Sequence, residues 1–119
     1  MAVPFEVDRL TTLNVNADVA AACVAAGLKA EKAVFLTDTN GIWLDPADPS
    51  TYASTLTRAQ IQDLIVKGII SGGMLPKVEA CLVALKAGVR KTHIVDGRVQ
   101  HALLLEIFTD KGVGTQIIH

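Results

Sequence analysis

A chain of 119 residues is long enough for one domain with a hydrophobic core but not for two, so residues 1–119 are expected to form a single domain. Half of the residues are hydrophobic and only 4% are aromatic, so Ala, Val, Ile and Leu must build the core, which suits helices packed on a parallel sheet. The net charge of -1 gives no reason to expect a nucleic acid or an anionic membrane as partner. The chain lacks the patterns of a signal peptide and of a membrane-spanning segment, and neither secretion nor insertion is predicted.

The first predicted helix lies in NADVAAACVAAG, where Asn16 can cap the first turn, Asp18 complements the helix dipole and Gly27 is expected to end the helix. The apolar run KAVFLTD, residues 32–38, predicts a buried strand. The segment DPADPSTYAS contains two Asp-Pro pairs and is predicted to be a loop.

The second half begins with a predicted helix at Thr57, which forms a capping-box pattern with Gln60 and is followed by a stop at Gly68. The next helix is predicted to end near Gly88 and to carry one apolar stripe, formed by Val78, Cys81, Leu82, Leu85 and Val89. THIVDG then predicts a strand, HALLLEIF a helix and GTQIIH a last strand. This alternation predicts an α/β fold with a largely parallel sheet, whose ligands collect beyond the carboxyl ends of the strands, at TDTNG, DGR and SGGM.

The segment SGGMLPK indicates an anion site at the start of a helix. Gly72 and Gly73 allow a close approach of the backbone to a ligand, Pro76 fits the first helical turn, and free N–H groups there can hold phosphate. Lys77 lies where the helix dipole repels a positive charge unless an anion is near. A glycine-rich turn with a solvated lysine is the alternative.

Five segments occur in the order and approximate spacing of the carboxyl-terminal half of N-acetylglutamate kinase, a member of the amino-acid kinase family: NVNAD, LTDTNGI, GIISGGMLPKVEACLVALKAGV, HIVDGR and HALLLEIFTDKGVGTQII. The chain resembles that half from residue 14 to residue 118. The resemblance implies a three-layer αβα sandwich with a mainly parallel sheet. It also implies phosphorylation of the side-chain carboxylate of N-acetyl-L-glutamate by ATP, the second step of arginine biosynthesis.

The resemblance implies roles for individual residues. Asn14 would bind acetylglutamate, Asp18 would orient the catalytic lysines, and Lys77 would steady negative charge in the transition state. The residues expected near ATP are Thr37, Asp38, Thr39, Asn40, Gly41, Ile42, Trp43, Ile69, Ile70, Ser71, Gly73 and Met74. Magnesium is expected to arrive with ATP, held mainly by its phosphates, and no metal site formed by the protein is predicted.

Each of these residues also has a structural interpretation. Asp18 would complement a helix dipole, Asn14 would belong to a turn, and Trp43 would cover a hairpin or pack on adenine. DTNGIWLD is weakly similar to a calcium-binding loop, but its glycine follows Asp38 too early and the terminal glutamate is missing, so calcium is rejected.

In arginine-inhibited members of the family the inhibitor lies beside residues that resemble His93, Glu106 and Gly112. Periodicity alone leaves open that Glu106 points to solvent from a surface helix. His101 and His119 are expected to be structural or terminal. Cys23 and Cys81 lack metal-ligand spacing and are expected to be buried free thiols in a reducing cytoplasm.

The complete enzyme of the resembled family is more than twice as long, and its amino-terminal half supplies a phosphate loop, a second catalytic lysine and most substrate contacts. We therefore expect the isolated chain to bind ATP weakly, to be inactive, and to associate with itself or with a complementary amino-terminal half. A second hypothesis is a catalytically silent module that senses arginine or a nucleotide. A third hypothesis is a related kinase acting on carbamate, aspartate or glutamate, and the segments GGMLPKVEA and HALLLEIFTDKGVGT disfavour it. As for partners, the resemblance permits a nitrogen-regulatory signal protein without supporting it.

Overall fold

The computed structural model describes residues 16–38, 41–45, 47–108 and 114–119. Within these ranges the helices are α1 (Ala17–Gly27), α2 (Arg58–Val66), α3 (Met74–Lys86) and α4 (Ala102–Phe108). The strands are β1 (Lys32–Thr37), β2 (Ile42–Trp43), β3 (Tyr52–Ala53), β4 (Thr55–Thr57), β5 (Lys91–Asp96) and β6 (Gly114–Ile118), with a short 3-10 helix at Pro49–Thr51. No helix in the described part of the chain has the length and apolar character needed to cross a membrane.

The predicted helix starts are confirmed by hydrogen bonds. The Asn16 side chain accepts from the backbone N–H groups of Asp18 and Val19. Thr57 and Gln60 form both hydrogen bonds of the capping box. These side chains occupy N–H groups that the first helical turn leaves without a partner, which is why α1 and α2 begin where they do.

Four strands form one sheet in the order β1-β5-β6-β4. β1 pairs with β5 and β4 pairs with β6 in parallel, whereas β5 and β6 are antiparallel. The prediction of an α/β fold with a mainly parallel sheet is therefore confirmed. Since α1 precedes β1 and α3 precedes its parallel neighbour β5, the amino ends of both helices lie at the edge where β1 and β5 end.

The prediction that DPADPSTYAS is wholly a loop is wrong. It contains the 3-10 helix and β3, which pairs with β2 through Ile42 opposite Ala53 and Trp43 opposite Tyr52. β4 follows one residue later. Strands of two or three residues are too short to show the alternation that identifies a strand in a sequence, so the turn-forming Asp-Pro pairs dominated the prediction.

Helices lie on both faces of the sheet, as the alternation along β5 shows. Thr92 lies beside Cys81 of α3, whereas the next residue, His93, contacts Glu106 of α4. Neighbouring residues of a strand point to opposite faces, so α3 and α4 are on opposite sides and the molecule has three layers.

We call the side under α1, α2 and α3 the covered face and the other side the α4 face. The covered face carries Phe35, Leu56, Ile94 and Ile117, which belong to one buried apolar cluster. The α4 face carries Leu36, His93, Val95 and Gln116. The helices complete the cluster on the covered face with the stripe of α3 and with residues of α1 and α2: Ala22, Ile61, Leu64, Val78, Ala80, Cys81, Ala84 and Leu85.

Candidate functional site

Lys77 and Asp18 meet between α3 and α1. The Nζ atom of Lys77 donates to the Asp18 carboxylate, 3.3 Å from Oδ1 and 3.4 Å from Oδ2. Both side chains are half-buried, with 25% of Lys77 and 23% of Asp18 exposed. The Asp18 carboxylate is thus an anion of the kind that the helix-dipole argument required near Lys77. Lys77 is therefore paired and is not a purely solvated lysine. An ammonium group has three donors, so this pairing leaves Lys77 able to bind a second anion.

The start of α3 offers a further donor beside Lys77. The residue that precedes the helix is Gly73, which has no side chain to cap the first turn. The residue before it, Gly72, has a positive φ of 60°. A Cβ atom added at either glycine would meet no atom within 4 Å, so the space beside them is open. The N–H of Leu75 donates to the Gly72 carbonyl oxygen at 3.2 Å and Pro76 has no N–H, so at the start of the helix the N–H of Met74 is the backbone donor suited to an anionic ligand.

The segment expected to follow the nucleotide leaves the end of β1. Thr37 closes that strand, Gly41 has a positive φ of 110°, and Ile42 and Trp43 form β2. The backbone therefore turns from the sheet into the β2–β3 hairpin at the edge that also holds Lys77 and Asp18. The predicted residues Asn14, Thr39, Asn40 and Gly112 lie outside the described part of the chain.

The second predicted nucleotide segment, residues 69–74, joins α2 to α3. The N–H groups of Ile69 and Ile70 both donate to the carbonyl of Leu64, which closes the end of α2. The Ile70 side chain is buried in the core, as is that of Ile42, so either residue could meet a ligand only through its backbone. Ser71 and Gly73 are exposed, and Met74 is half-buried at the start of α3.

A groove of about 570 Å³ opens between β3, β4 and α2. Its lining includes Tyr52, Leu56, Leu64 and Ile69, of which only Ile69 was expected near a ligand. The sequence carried no local signal for Tyr52 and Leu56, because the short strands that place them were not predicted.

At the carboxyl end of β5, Asp96 and Arg98 form a paired structure within the DGR segment. Arg98 donates to both carboxylate oxygens of Asp96, from Nε and Nη2 at 3.0 Å each. These hydrogen bonds from Arg98 lower the pKa of Asp96, and Asp96 raises the pKa of Arg98. Resemblance gave Arg98 no role, although DGR had been singled out as one of three places for a ligand. In the described ranges, no three His, Cys, Asp or Glu side chains are grouped to hold a metal ion.

The expected effector residues His93 and Glu106 are in contact on the α4 face. His93 Nδ1 contacts Glu106 Oε1, and 3% of the His93 side chain and 8% of the Glu106 side chain are exposed. The alternative that Glu106 points to solvent is therefore wrong, because α4 turns this residue toward β5. Burial lowers the pKa of His93, and the carboxylate of Glu106 opposes that shift. No described group forms a hydrogen bond with His93 Nε2.

The remaining residues noted in the sequence are two cysteines and two histidines, and their surroundings fit structural roles. Cys81 is fully buried, and desolvation raises the pKa of its thiol to about 12, so the reactive thiolate is suppressed at neutral pH. Cys23 is also a free cysteine but is only half-buried, so the prediction that both thiols are buried is wrong for Cys23. His101 is exposed with a φ of 59°, and His119 Nε2 lies 3.3 Å from the Val89 carbonyl oxygen.

The family model of the amino acid kinase family matches residues 3–96. Among curated proteins, the chain is 53% identical over 107 residues to an acetylglutamate kinase of Halothermothrix orenii, covering 90% of this chain and 37% of the relative. It is 53% identical over 115 residues to an acetylglutamate kinase of Methanothermobacter thermautotrophicus, covering 96% of this chain and 39% of the relative. The chain thus spans less than two-fifths of the length of these relatives.

Among solved structures, the chain is similar to N-acetylglutamate synthase from Neisseria gonorrhoeae in two complexes. With the complex that holds coenzyme A and N-acetyl-glutamate the TM-score is 0.82 at 35% identity, covering 92% of this chain and 24% of the synthase. With the complex that holds coenzyme A and L-arginine the TM-score is 0.78 at 35% identity, covering 88% and 24%.

Proposed function

Because this chain belongs to the amino acid kinase family, we propose that it forms the nucleotide-binding part of an N-acetyl-L-glutamate kinase. That enzyme would phosphorylate the side-chain carboxylate of N-acetyl-L-glutamate with ATP in arginine biosynthesis. Two relatives at 53% identity, both acetylglutamate kinases, support this choice within the family. The observation that carries it is the Lys77–Asp18 pair beside the uncapped amino end of α3, since it leaves an ammonium donor free for a phosphate at the positive end of the helix dipole.

In this proposal the residues of the chain divide the work by position. Lys77 Nζ binds the transferring phosphoryl group and offsets its negative charge, and Asp18 holds the ammonium in place. The N–H of Met74, at the start of α3, binds a neighbouring phosphate oxygen. Magnesium bound to ATP shares in neutralising the phosphate charges.

The nucleotide would lie along two segments of backbone. One comprises Thr37, Asp38, Gly41, Ile42 and Trp43, and the other comprises Ile69, Ile70, Ser71 and Met74. Because the side chains of Ile42 and Ile70 are buried, their backbones would make the contact. Thr39 and Asn40 as nucleotide contacts, and Asn14 as a contact to acetylglutamate, stay predictions.

We propose that the 119-residue chain alone binds ATP weakly and does not turn over, since phosphoryl transfer depends on holding both substrates in line. Another part of a kinase, or a second copy of this chain, would cover the apolar residues that α4 leaves exposed, Leu103, Leu104, Ile107 and Phe108. The free thiols of Cys23 and Cys81 favour a reducing, cytoplasmic setting.

Calorimetry with a non-hydrolysable ATP analogue and magnesium tests the nucleotide role. Lys77→Met should weaken binding by about tenfold or more, because a charge-assisted contact to phosphate is removed. Lys86→Met is the matched control: Lys86 is exposed in the last turn of the same helix, at the opposite end from Lys77. Equal affinities of wild type, Lys77→Met and Lys86→Met would contradict the proposal.

A second candidate function is a catalytically silent module that binds arginine. The buried His93–Glu106 contact favours it, because a buried carboxylate can bind a cationic ligand. The similarity to the synthase structure with L-arginine points the same way. Calorimetry with arginine separates the two functions: binding of arginine that Glu106→Gln abolishes, together with no binding of the ATP analogue, would favour the sensing module.

A further inference from the structure

The β2–β3 hairpin carries Gly41, Ile42 and Trp43 but has little structure of its own. Its two strands pair through only two residue pairs, Ile42 with Ala53 and Trp43 with Tyr52. A ladder this short is not stable in water without outside support. The position of the hairpin therefore depends on what joins it to the four-stranded sheet.

Thr115 of β6 forms this connection. Its side chain is fully buried, and its hydroxyl accepts a hydrogen bond from the backbone N–H of Ile42 at 2.9 Å. The same hydroxyl donates to the carbonyl oxygen of Ala53 at 2.7 Å. One side chain thus holds both strands of the hairpin, and it uses its donor and an acceptor site to do so.

Two further contacts fall at the same place. A Cβ atom on Gly41, whose φ is 110°, would lie 2.8 Å from Thr115 Oγ1, so the backbone entering the hairpin passes directly against this hydroxyl. From the other strand, the hydroxyl of Tyr52 donates to the carbonyl of Gly114, the residue before Thr115. The first two residues of β6 therefore anchor the hairpin, in addition to the burial of Ile42 and Ala53 in the core and the hydrogen bond from the Gln116 N–H to the Ser54 carbonyl.

We propose that Thr115 is a positioning residue of the nucleotide site: its hydroxyl fixes the β2–β3 hairpin so that the backbone from Gly41 to Trp43 lies where the nucleotide binds. The inference rests on the proposed nucleotide-binding function and deepens it. Thr115 acts through the hairpin and need not touch the ligand. Without the hydroxyl, two buried backbone groups lose a partner, and the docked hairpin becomes less populated.

Four variants of the 119-residue chain test the attachment. Thr115→Val keeps the shape of the side chain and removes the hydroxyl, whereas Thr115→Ser keeps the hydroxyl. Thr92→Val is the matched control, because Thr92 is also fully buried on the covered face but makes no described contact to the hairpin. Tyr52→Phe removes the second anchor at a partly exposed position and serves if Thr115→Val does not fold.

Hydrogen exchange without ligand is the first measurement. In Thr115→Val the peptides covering residues 41–53 should exchange at least about tenfold faster, with β1 and β5 unchanged. Thr115→Ser and Thr92→Val should protect the hairpin as the wild type does, and Tyr52→Phe should give a smaller increase. Unchanged hairpin exchange in both Thr115→Val and Tyr52→Phe would overturn the inference.

Affinity for a non-hydrolysable ATP analogue with magnesium is the second measurement. The dissociation constant should rise about tenfold in Thr115→Val and stay near the wild-type value in Thr115→Ser and Thr92→Val. A hairpin that opens without any change of affinity would overturn the positioning role. If the wild type binds no nucleotide, the proposed function fails and the nucleotide role of Thr115 fails with it, while the exchange data still decide whether the hydroxyl holds the hairpin.

Discussion

The two faces of the sheet differ in how they are covered. On the covered face, Phe35, Ile94 and Ile117 are buried under three helices, and the apolar cluster extends through the α3 stripe. On the α4 face, the described residues supply one helix, the seven residues of α4 against β5, and Leu36 is 53% exposed. The polar contact between His93 and Glu106 lies on this face beside the buried Val95.

This difference separates the residues that stabilise the fold from those of the candidate site. Apolar burial stabilises without regard to direction, so the covered face can hold the fold together while it presents Lys77 and Asp18 at its rim. A buried imidazole whose Nε2 has no described partner carries a desolvation cost, so the His93–Glu106 contact should contribute less to stability than the apolar burial on the other face. Stability measurements should therefore respond very differently to changes on the two faces.

The largest effect is expected from truncating the core of the covered face. Leu85→Ala should lower the free energy of unfolding by about 2–5 kcal/mol, because it removes a fully buried side chain from α3. Leu104→Ala, the same substitution at a residue that is 52% exposed on α4, should change it by about 0.5 kcal/mol or less. Urea unfolding measures both. Similar losses would show that α4 is packed as tightly as α3 and would break the comparison.

An intermediate effect is expected from pH, and it belongs to the α4 face. Burial lowers the pKa of His93 below 6.5, the Glu106 carboxylate opposes the shift, and Lys32 and Lys91 add to it. The unfolded chain then binds this proton more readily than the folded one. Stability is present above the unfolded pKa and is lost as pH falls through about 6.5 toward the lower folded value.

The measurement is the urea midpoint between about pH 7.5 and pH 5.5, the range in which an ordinary histidine titrates. The wild-type midpoint should fall across this range, and His93→Asn should give a flatter profile. His101→Asn is the control, since His101 is exposed and lies just before the same helix. An unchanged profile in His93→Asn, or an equal flattening in His101→Asn, would show that other groups set the pH dependence.

Local signals in the sequence were sufficient for much of the covered face. The caps at Asn16 and Thr57 depend on residues two or three positions away, and the α3 stripe repeats within single turns, so both are visible in short windows. The hairpin was missed for the opposite reason. Ile42 depends on Thr115, which is 73 residues further along the chain.

The candidate site divides in the same way. The glycines before α3 and the position of Lys77 indicated an anion from local pattern alone, but the partner of Lys77 is 59 residues away. Asp18 entered as a catalytic candidate only through the family resemblance. Arg98 was missed even though its partner Asp96 is two residues away, because an Asp-Gly-Arg segment forms many different turns and its pairing depends on where β5 ends.

The smallest effect on stability is expected from the Lys77–Asp18 pair, although it belongs to the better packed side. Water reaches about a quarter of each side chain and screens the attraction, so a double-mutant cycle with Asp18→Asn and Lys77→Met should give a coupling free energy below about 1 kcal/mol. Together with the loss of nucleotide affinity expected for Lys77→Met, a small coupling would mean that the pair contributes to ligand binding far more than to folding. A coupling of several kcal/mol would make it a structural contact between α1 and α3. The pair could then not be separated, as a ligand-binding feature, from the apolar burial that stabilises the covered face.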